Sequence, residues 1–267
     1  MTNSRKQVCG VHLVGSVPYD NCTDVFKKVS ATLGDHVKRL PDGETGNRTM
    51  WVDWQLPVLE QNPNLELVTN EAYEYTQIKQ VGLREGCDSK NLQLSDLGYA
   101  IAAIESYKEF SALKTAGEIP RHCRFQVCLP TPLATTHLYV EQSLQADFEY
   151  QYEEKLLGDL EKILSSIPHR ELAIQWDTAV EFALLEGVMP SYIKDLQEGI
   201  IERLLRLAGK VPEPVEMGFH LCYGDSQHKH FCEPEDTEKL VMVANKLSQG
   251  ISRSLNWIHL PVPKERS

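Results

Sequence analysis

The sequence predicts an α/β protein of the (β/α)8 TIM-barrel type, and three observations predict it. Short apolar runs alternate with longer helical patterns, several of the runs are nearly continuous hydrophobics, and a polar motif follows almost every run. Repeated strand–helix units imply a parallel sheet. Continuous apolar runs imply strands covered on both faces. Polar groups arriving from the ends of many strands are how a barrel builds a site, whereas an open doubly wound sheet gathers them at one switch point.

The candidate strands are Val8–Val14, Val37–Leu40, Phe125–Leu129, Leu172–Trp176, Val215–Leu221 and Asn256–Leu260. Helical patterns fill the intervals at Asn21–Leu33, Thr49–Gln61, Ser95–Ala116, Thr136–Ser166, Pro190–Leu207 and Pro234–Gln249. Ser95 precedes a run in which Leu97, Ile101, Ile104 and Phe110 return to one face. Ile193, Leu196, Ile200, Leu204 and Leu207 recur at spacings of three or four, then Gly209 and Pro212 end the pattern. Residues 62–93 fit no such unit and read as an insertion in a single domain spanning 1–267. The strands found fall short of an eight-stranded closure. The expected barrel therefore lacks its last strands, and an unclosed edge invites completion by a further C-terminal segment or by a second copy of the chain.

Composition narrows the partners. The 267 residues, 42% hydrophobic and 24% charged, suit a soluble globular chain that buries a core without a disulfide or a structural metal. Lys and Arg total 27 against 38 Asp and Glu, a net charge of −11, which argues against nucleic acid and anionic membrane as partners. The seven cysteines are odd in number and scattered, with Cys9, Cys123, Cys128 and Cys222 in or beside strand-like runs, a pattern of reduced thiols in the cytoplasm. The first residues are polar, and no apolar run is long enough to span a membrane. Neither a Gly-x-Gly-x-x-Gly turn nor a Walker loop follows the first strand, which disfavours a nucleotide cofactor.

Four motifs could carry chemistry. His220 and Cys222, two apart on a strand, point to one face, and both are zinc-ligand types; from the pattern alone, two half-buried residues at a strand end are the simpler reading. Asp42, Glu44 and Arg48 share a glycine-bearing loop that could grip a zwitterion or supply an acid and a base, or could be a capped turn. Asp177 ends the fourth apolar run, a favourable place for a functional carboxylate and also for a helix cap. Gly15 and Ser16 follow the first run, where backbone N–H groups and a hydroxyl could hold an anion, or form a plain turn. His228-Lys229-His230 with Cys232 and Glu233 reads as a solvated connection rather than a ligand set.

Taken in order, these motifs resemble the catalytic domain of cobalamin-independent methionine synthase, in the barrel superfamily shared with uroporphyrinogen decarboxylase. Gly15-Ser16-Val17-Pro18 is similar to that family's Gly-Ser-Phe-Pro segment, which contacts the homocysteine carboxylate. Gly43-Glu44 with Arg48 is similar to its Gly-Glu-Pro-x-Arg run, and Ile174-Gln175-Trp176-Asp177 to its Ile-Gln-x-Asp run, whose acids face the substrate amine. His220-Leu221-Cys222-Tyr223 resembles the zinc-binding His-x-Cys-Tyr. Where the family carries a glutamate ligand, this chain reads Asn256-Trp257-Ile258-His259.

The resemblance implies a methyltransferase-like enzyme that moves a methyl or one-carbon group onto the thiol of a homocysteine-like substrate. Asp42, Glu44 and Asp177 would be catalytic. Gly15, Ser16, Glu44, Arg48, Trp176 and Asp177 would bind substrate, and His220, Cys222 and His259 would hold zinc. The alternatives are a metal-independent barrel enzyme (decarboxylase, lyase or isomerase) acting on another small acid, and a non-catalytic metabolite-binding barrel.

Overall fold

The computed structural model describes residues 10–69, 79–225 and 229–261. In chain order its principal elements are α1 (Cys22–Leu33), β1 (Arg39–Pro41), α2 (Gln55–Glu60), β2 (Leu65–Thr69), β3 (Lys79–Leu83) and α3 (Tyr99–Thr115). There follow β4 (Arg124–Pro130), α4 (Pro132–Tyr139), α5 (Gln145–Ser166), β5 (Leu172–Thr178) and α6 (Val180–Leu185). The chain continues through α7 (Leu196–Ala208), β6 (Glu216–Leu221), α8 (Glu238–Gly250) and β7 (Trp257–His259).

Strands β1, β4, β5, β6 and β7 form one parallel sheet in that order. The sheet is curled. Arg39 on β1 donates to Glu216 on β6 at 2.6 Å, and its guanidinium carbon lies 4.1 Å from the ring centroid of Trp257 on β7. Side chains of the first and last strands thus meet across the concave side, and among the described residues the sheet is a curled half-barrel of five strands.

The pleat divides the side chains. Phe125, Leu129, Ile174, Trp176, Met217, Phe219 and Leu221 are buried in the apolar layer beneath the helices. Phe125 meets Phe26 of α1 and Phe110 of α3 with ring centroids 6.1 and 5.5 Å apart. The opposite side chains, Arg124, Gln126, Cys128, Gln175, Asp177, Glu216 and His220, face the hollow. The inner face is therefore polar, where continuous apolar runs predicted an apolar one. Gly218 is required there, because a Cβ would stand 2.2 Å from the Trp257 ring.

The expected first strand begins outside the described residues, and from Gly10 onward it is only partly a strand. It bridges at Val11 to Val37 and at Ser16 to Gly43. Between these points it bends into the hollow, where the Leu13 and Val14 carbonyls accept from the Gln126 and Gln175 amides at 2.9 and 2.7 Å. Buried amides need acceptors, and this segment supplies them.

The helices follow the expected pattern with several departures, among them α6, which the pattern did not predict. α1 starts where Asn21 accepts from the Asp24 N–H at 2.9 Å, buries Val25, Phe26 and Val29, and ends at Gly34. The pattern expected over Thr136–Ser166 is broken into α4 and α5. Val140 there is extended and bridges to Val81 of β3, and the Glu141 N–H donates to the Val81 carbonyl at 2.9 Å. Within the predicted insertion, β2 and β3 form an antiparallel hairpin, with residues 70–78 outside those described. Helix is confined to Gln55–Glu60 of the expected Thr49–Gln61 stretch, and α7 begins only after Asp195, at φ 46°. Among the described residues no helix is long and apolar enough to cross a membrane, and the described cysteines are free thiols.

Candidate functional site

The loop after β1 is shaped by its backbone. Gly43 has φ 82°, and a Cβ on it would sit 2.6 Å from a Val25 methyl carbon. Glu44 follows with φ 50°, a left-handed conformation that is costly for a residue with a Cβ and that clusters at functional sites. Asp42 holds the loop in place. Its Oδ1 accepts from the Glu44 N–H at 3.0 Å, and its Oδ2 accepts from Arg48 at 2.7 Å and from the Ser106 hydroxyl of α3 at 2.8 Å. Asp42 and Arg48, expected at the substrate, are paired with each other and position Glu44.

The Glu44 carboxyl lies over Gly15, where a Cβ would come within 3.2 Å of its Oε2. Gly15, at φ 143°, gives that space, and the Ser16 hydroxyl donates to the same oxygen. Ser16 therefore orients Glu44, and its single proton is not available to a substrate carboxylate at the same time. Burial pushes the Glu44 carboxyl up to about 7; Asp42 adds to the rise, while the Ser16 hydrogen bond and Arg48 oppose it.

Asp177 closes the arrangement from the end of β5. It is buried, and its Oδ1 accepts from Gln175 at 2.8 Å. Burial first, then the neighbouring Glu44 and Glu181, hold its carboxyl well above the usual range. Glu181, in the first turn of α6, is a third carboxyl of this rim, and burial pushes it up to about 7. Thr131 donates to its Oε1, while its Oε2 is buried without a hydrogen-bond partner. Its position one turn beyond Asp177 is the sequence signal that identifies it.

Trp176 is a correction. It was expected to line the substrate site from its place beside Asp177, but adjacent residues on a strand face opposite ways. The indole is fully buried among the apolar residues behind the sheet.

Next along the rim, on and after β6 and on β7, stand Cys222, His220 and His259. Cys222 follows β6, anchored by its N–H to the Thr178 carbonyl at 2.9 Å, and its Sγ accepts from the Gly224 N–H at 3.2 Å. Burial raises its thiol to about 11; the Gly224 N–H opposes the rise and Asp177 adds to it. His220 pairs in register with Asp177 on one side and His259 on the other. The Nδ1 atoms of His220 and His259 are 2.8 Å apart, so one carries the proton and the other accepts it. Burial, then His259 and His12, push His220 down to about 3.

His12 joins this group although sequence reasoning did not select it. Its Nε2 lies 2.8 Å from Gln175 Oε1, which also accepts from the Trp257 indole at 3.2 Å. Its ring centroid is 6.2 Å from that of His259. The pairing joins residues far apart in the chain, so only the period-two alternation of the first strand hints at it. Among the described residues, no group of three or more His, Cys, Asp and Glu is arranged to hold a metal ion. His220 and His259 converge; Cys222 is engaged by Gly224 instead.

The structure thus brings Ser16, Glu44, Asp177, His220 and Cys222 to one end of the parallel strands. Fold and rim together define an α/β protein whose curled sheet carries a polar hollow and a cluster of protonatable carboxyls at its carboxyl-terminal edge. Comparison with family models and with curated proteins gave no match to this chain.

Proposed function

We propose that this chain is an enzyme of the methionine synthase type, which binds a small amino-acid substrate through Glu44 and Asp177 and transfers a methyl or other one-carbon group to its thiol. The observation that carries this reading is the placement of two carboxyls, half-buried Glu44 and buried Asp177, at one rim, each held above its usual range mainly by burial, with Glu44 adding to the rise at Asp177. An ammonium placed between them supplies the missing opposite charge, and both carboxyls then ionise against it. Ser16 and Gln175 fix the two carboxyls in orientation, and the Asp42–Arg48 pair fixes the loop. A full (β/α)8 ring belongs to the same reading.

Zinc at His220, Cys222 and His259 is the cofactor part of the proposal. Imidazole and thiolate are the donors zinc takes. Bound there, the metal would supply a Lewis acid that lowers the pKa of an incoming thiol. The three donors do not form a set as they stand, so no step here is routed through it. The test is zinc retention by the purified protein together with methyl transfer to homocysteine. The proposal expects about one zinc per chain, lost in His220→Ala along with activity. Zinc affinity unchanged in that variant would remove the cofactor part, and absence of amino-acid binding would remove the whole.

A second reading is favoured by one observation. A carboxyl titrating at about 7 is suited to proton transfer at neutral pH, so Glu44 could serve as acid or base in a metal-independent decarboxylase, lyase or isomerase. Turnover of a small acid that survives His220→Ala and is lost in Glu44→Gln would select it.

A further inference from the structure

Gln175 stands on the inner face of β5, fully buried, with both edges of its amide engaged. Its Nε2 donates to the Val14 carbonyl at 2.7 Å and to Asp177 Oδ1 at 2.8 Å. Its Oε1 faces His12 Nε2 at 2.8 Å and the Trp257 indole nitrogen at 3.2 Å. Two of these four partners have no choice of role. A backbone carbonyl can only accept, and an indole N–H can only donate. They fix which end of the amide is nitrogen and which is oxygen, independently of the two partners whose protons can move. Gln126 agrees with that orientation. Its Nε2, held by the Leu13 carbonyl at 2.9 Å, adds a further N–H on the oxygen side at 3.4 Å.

The consequence falls on His12. An oxygen that must accept needs a proton from the nitrogen facing it, so the neutral imidazole carries its hydrogen on Nε2 and its lone pair on Nδ1. Neighbouring rings hold the imidazole in place. Its centroid lies 5.3 Å from that of Trp257 and 6.2 Å from that of His259. Trp257 is itself wedged between the flat backbone of Gly218 and the Arg39 guanidinium. An amide suits both edges of this site. A carboxylate would set an oxygen against the Val14 carbonyl, and an apolar side chain would leave the His12 and Trp257 N–H groups without their acceptor.

We propose that Gln175 is a positioning residue that holds His12 as the Nε2–H tautomer, so that His12 serves the hollow only as an acceptor, at Nδ1. A hydroxyl, an ammonium or a cation can be taken at that atom, and the neutral ring has no proton to give there. The same amide engages Asp177 through Oδ1, which ties the placement of one rim carboxyl to the state of one imidazole. Neither consequence requires an ammonium at the carboxyls or zinc at the imidazoles.

The test is the long-range 1H–15N correlation spectrum of the 15N-labelled full chain at about pH 8, above the ordinary histidine range. His12 is assigned by the loss of its signals in His12→Asn. A protonated Nε2 and a bare Nδ1 are expected in the unaltered protein; a protonated Nδ1, or an average of the two forms, overturns the proposal. Gln175→Glu keeps an oxygen facing His12 and is expected to keep the Nε2–H form. Gln175→Met, close in volume, removes the acceptor and is expected to release His12 into a mixture of tautomers. Survival of the single Nε2–H form in Gln175→Met, or its loss in Gln175→Glu, overturns the role of Gln175. A general loss of packing would disturb both variants alike, so the difference between them separates proton placement from a merely structural effect.

Discussion

The rim has two halves that bury their ionisable groups in opposite ways. The carboxyl half, Glu44, Asp177 and Glu181, sits at the ends of β1 and β5 and at the start of α6, in the well-packed part of the sheet. The imidazole half, His12, His220 and His259, sits against β6 and the edge strand β7. Burial raises the carboxyls and lowers the imidazoles, so both halves are driven toward neutrality. The two sets do not pair with each other as ions. In the proposed reading the ammonium would meet the carboxyls and the zinc the imidazoles.

The comparison is broken most severely from the carboxyl side by Gly43→Ala. The new methyl meets Val25 in a backbone conformation that disfavours a side chain, and a stability loss of about 2–4 kcal/mol is expected in denaturant unfolding. The His220–His259 pairing should survive in imidazole 15N spectra, because it depends on other strands. Loss of that pairing would mean the halves are one unit. From the imidazole side, Trp257→Ala removes the cover over Gly218, the Arg39 contact and the bond to Gln175, at an expected cost of about 3 kcal/mol. The Glu44 midpoint should stay where it is.

The pH dependence sharpens the contrast without disrupting either half. Carboxyls raised in the folded state bind protons that the unfolded chain has released, so their contribution to stability is present at low pH and is lost as pH rises toward about 7. Imidazoles lowered in the folded state act the other way, and stability falls as pH drops below the ordinary histidine range, through about 3 for His220. Melting temperature should therefore peak in mildly acidic solution. Glu44→Gln should flatten the alkaline limb alone, and His220→Gln the acid limb alone. A single variant that flattens both limbs would erase the distinction. The smallest effect is expected from Thr131→Val. Loss of the one hydrogen bond to Glu181 should raise that carboxyl's midpoint by under about one unit and leave Glu44 unmoved.

Much of this division was legible in the chain. β4 to β7 stand out because Phe125, Ile174, Phe219 and Ile258 belong to short apolar runs, and the acids and His220 fall at the ends of those runs. What sequence could not give was the side each residue faces once packing overrides adjacency. Trp176 was read with Asp177 because they are neighbours in sequence, and the pleat separates them. Asp42 and Arg48 were read either as substrate groups or as a capped turn, and the sequence could not show that Asp42 also takes the Ser106 hydroxyl of a distant helix. The first strand was read as regular, yet its middle leaves the sheet to meet the Gln126 and Gln175 amides. The break between α4 and α5 follows from Val81, which the sequence placed in an unassigned insertion.

The central claim is that Glu44 and Asp177 together receive an ammonium. Calorimetric titration with L-homocysteine and with its analogue lacking the amino group, 4-sulfanylbutanoic acid, in buffers of differing ionisation enthalpy tests it most directly. At about pH 6.5 the amino acid should bind with release of protons as the two carboxyls ionise against the ammonium, and the analogue should bind more weakly with no such release. Equal affinity and equal proton counts for the two ligands would contradict the account.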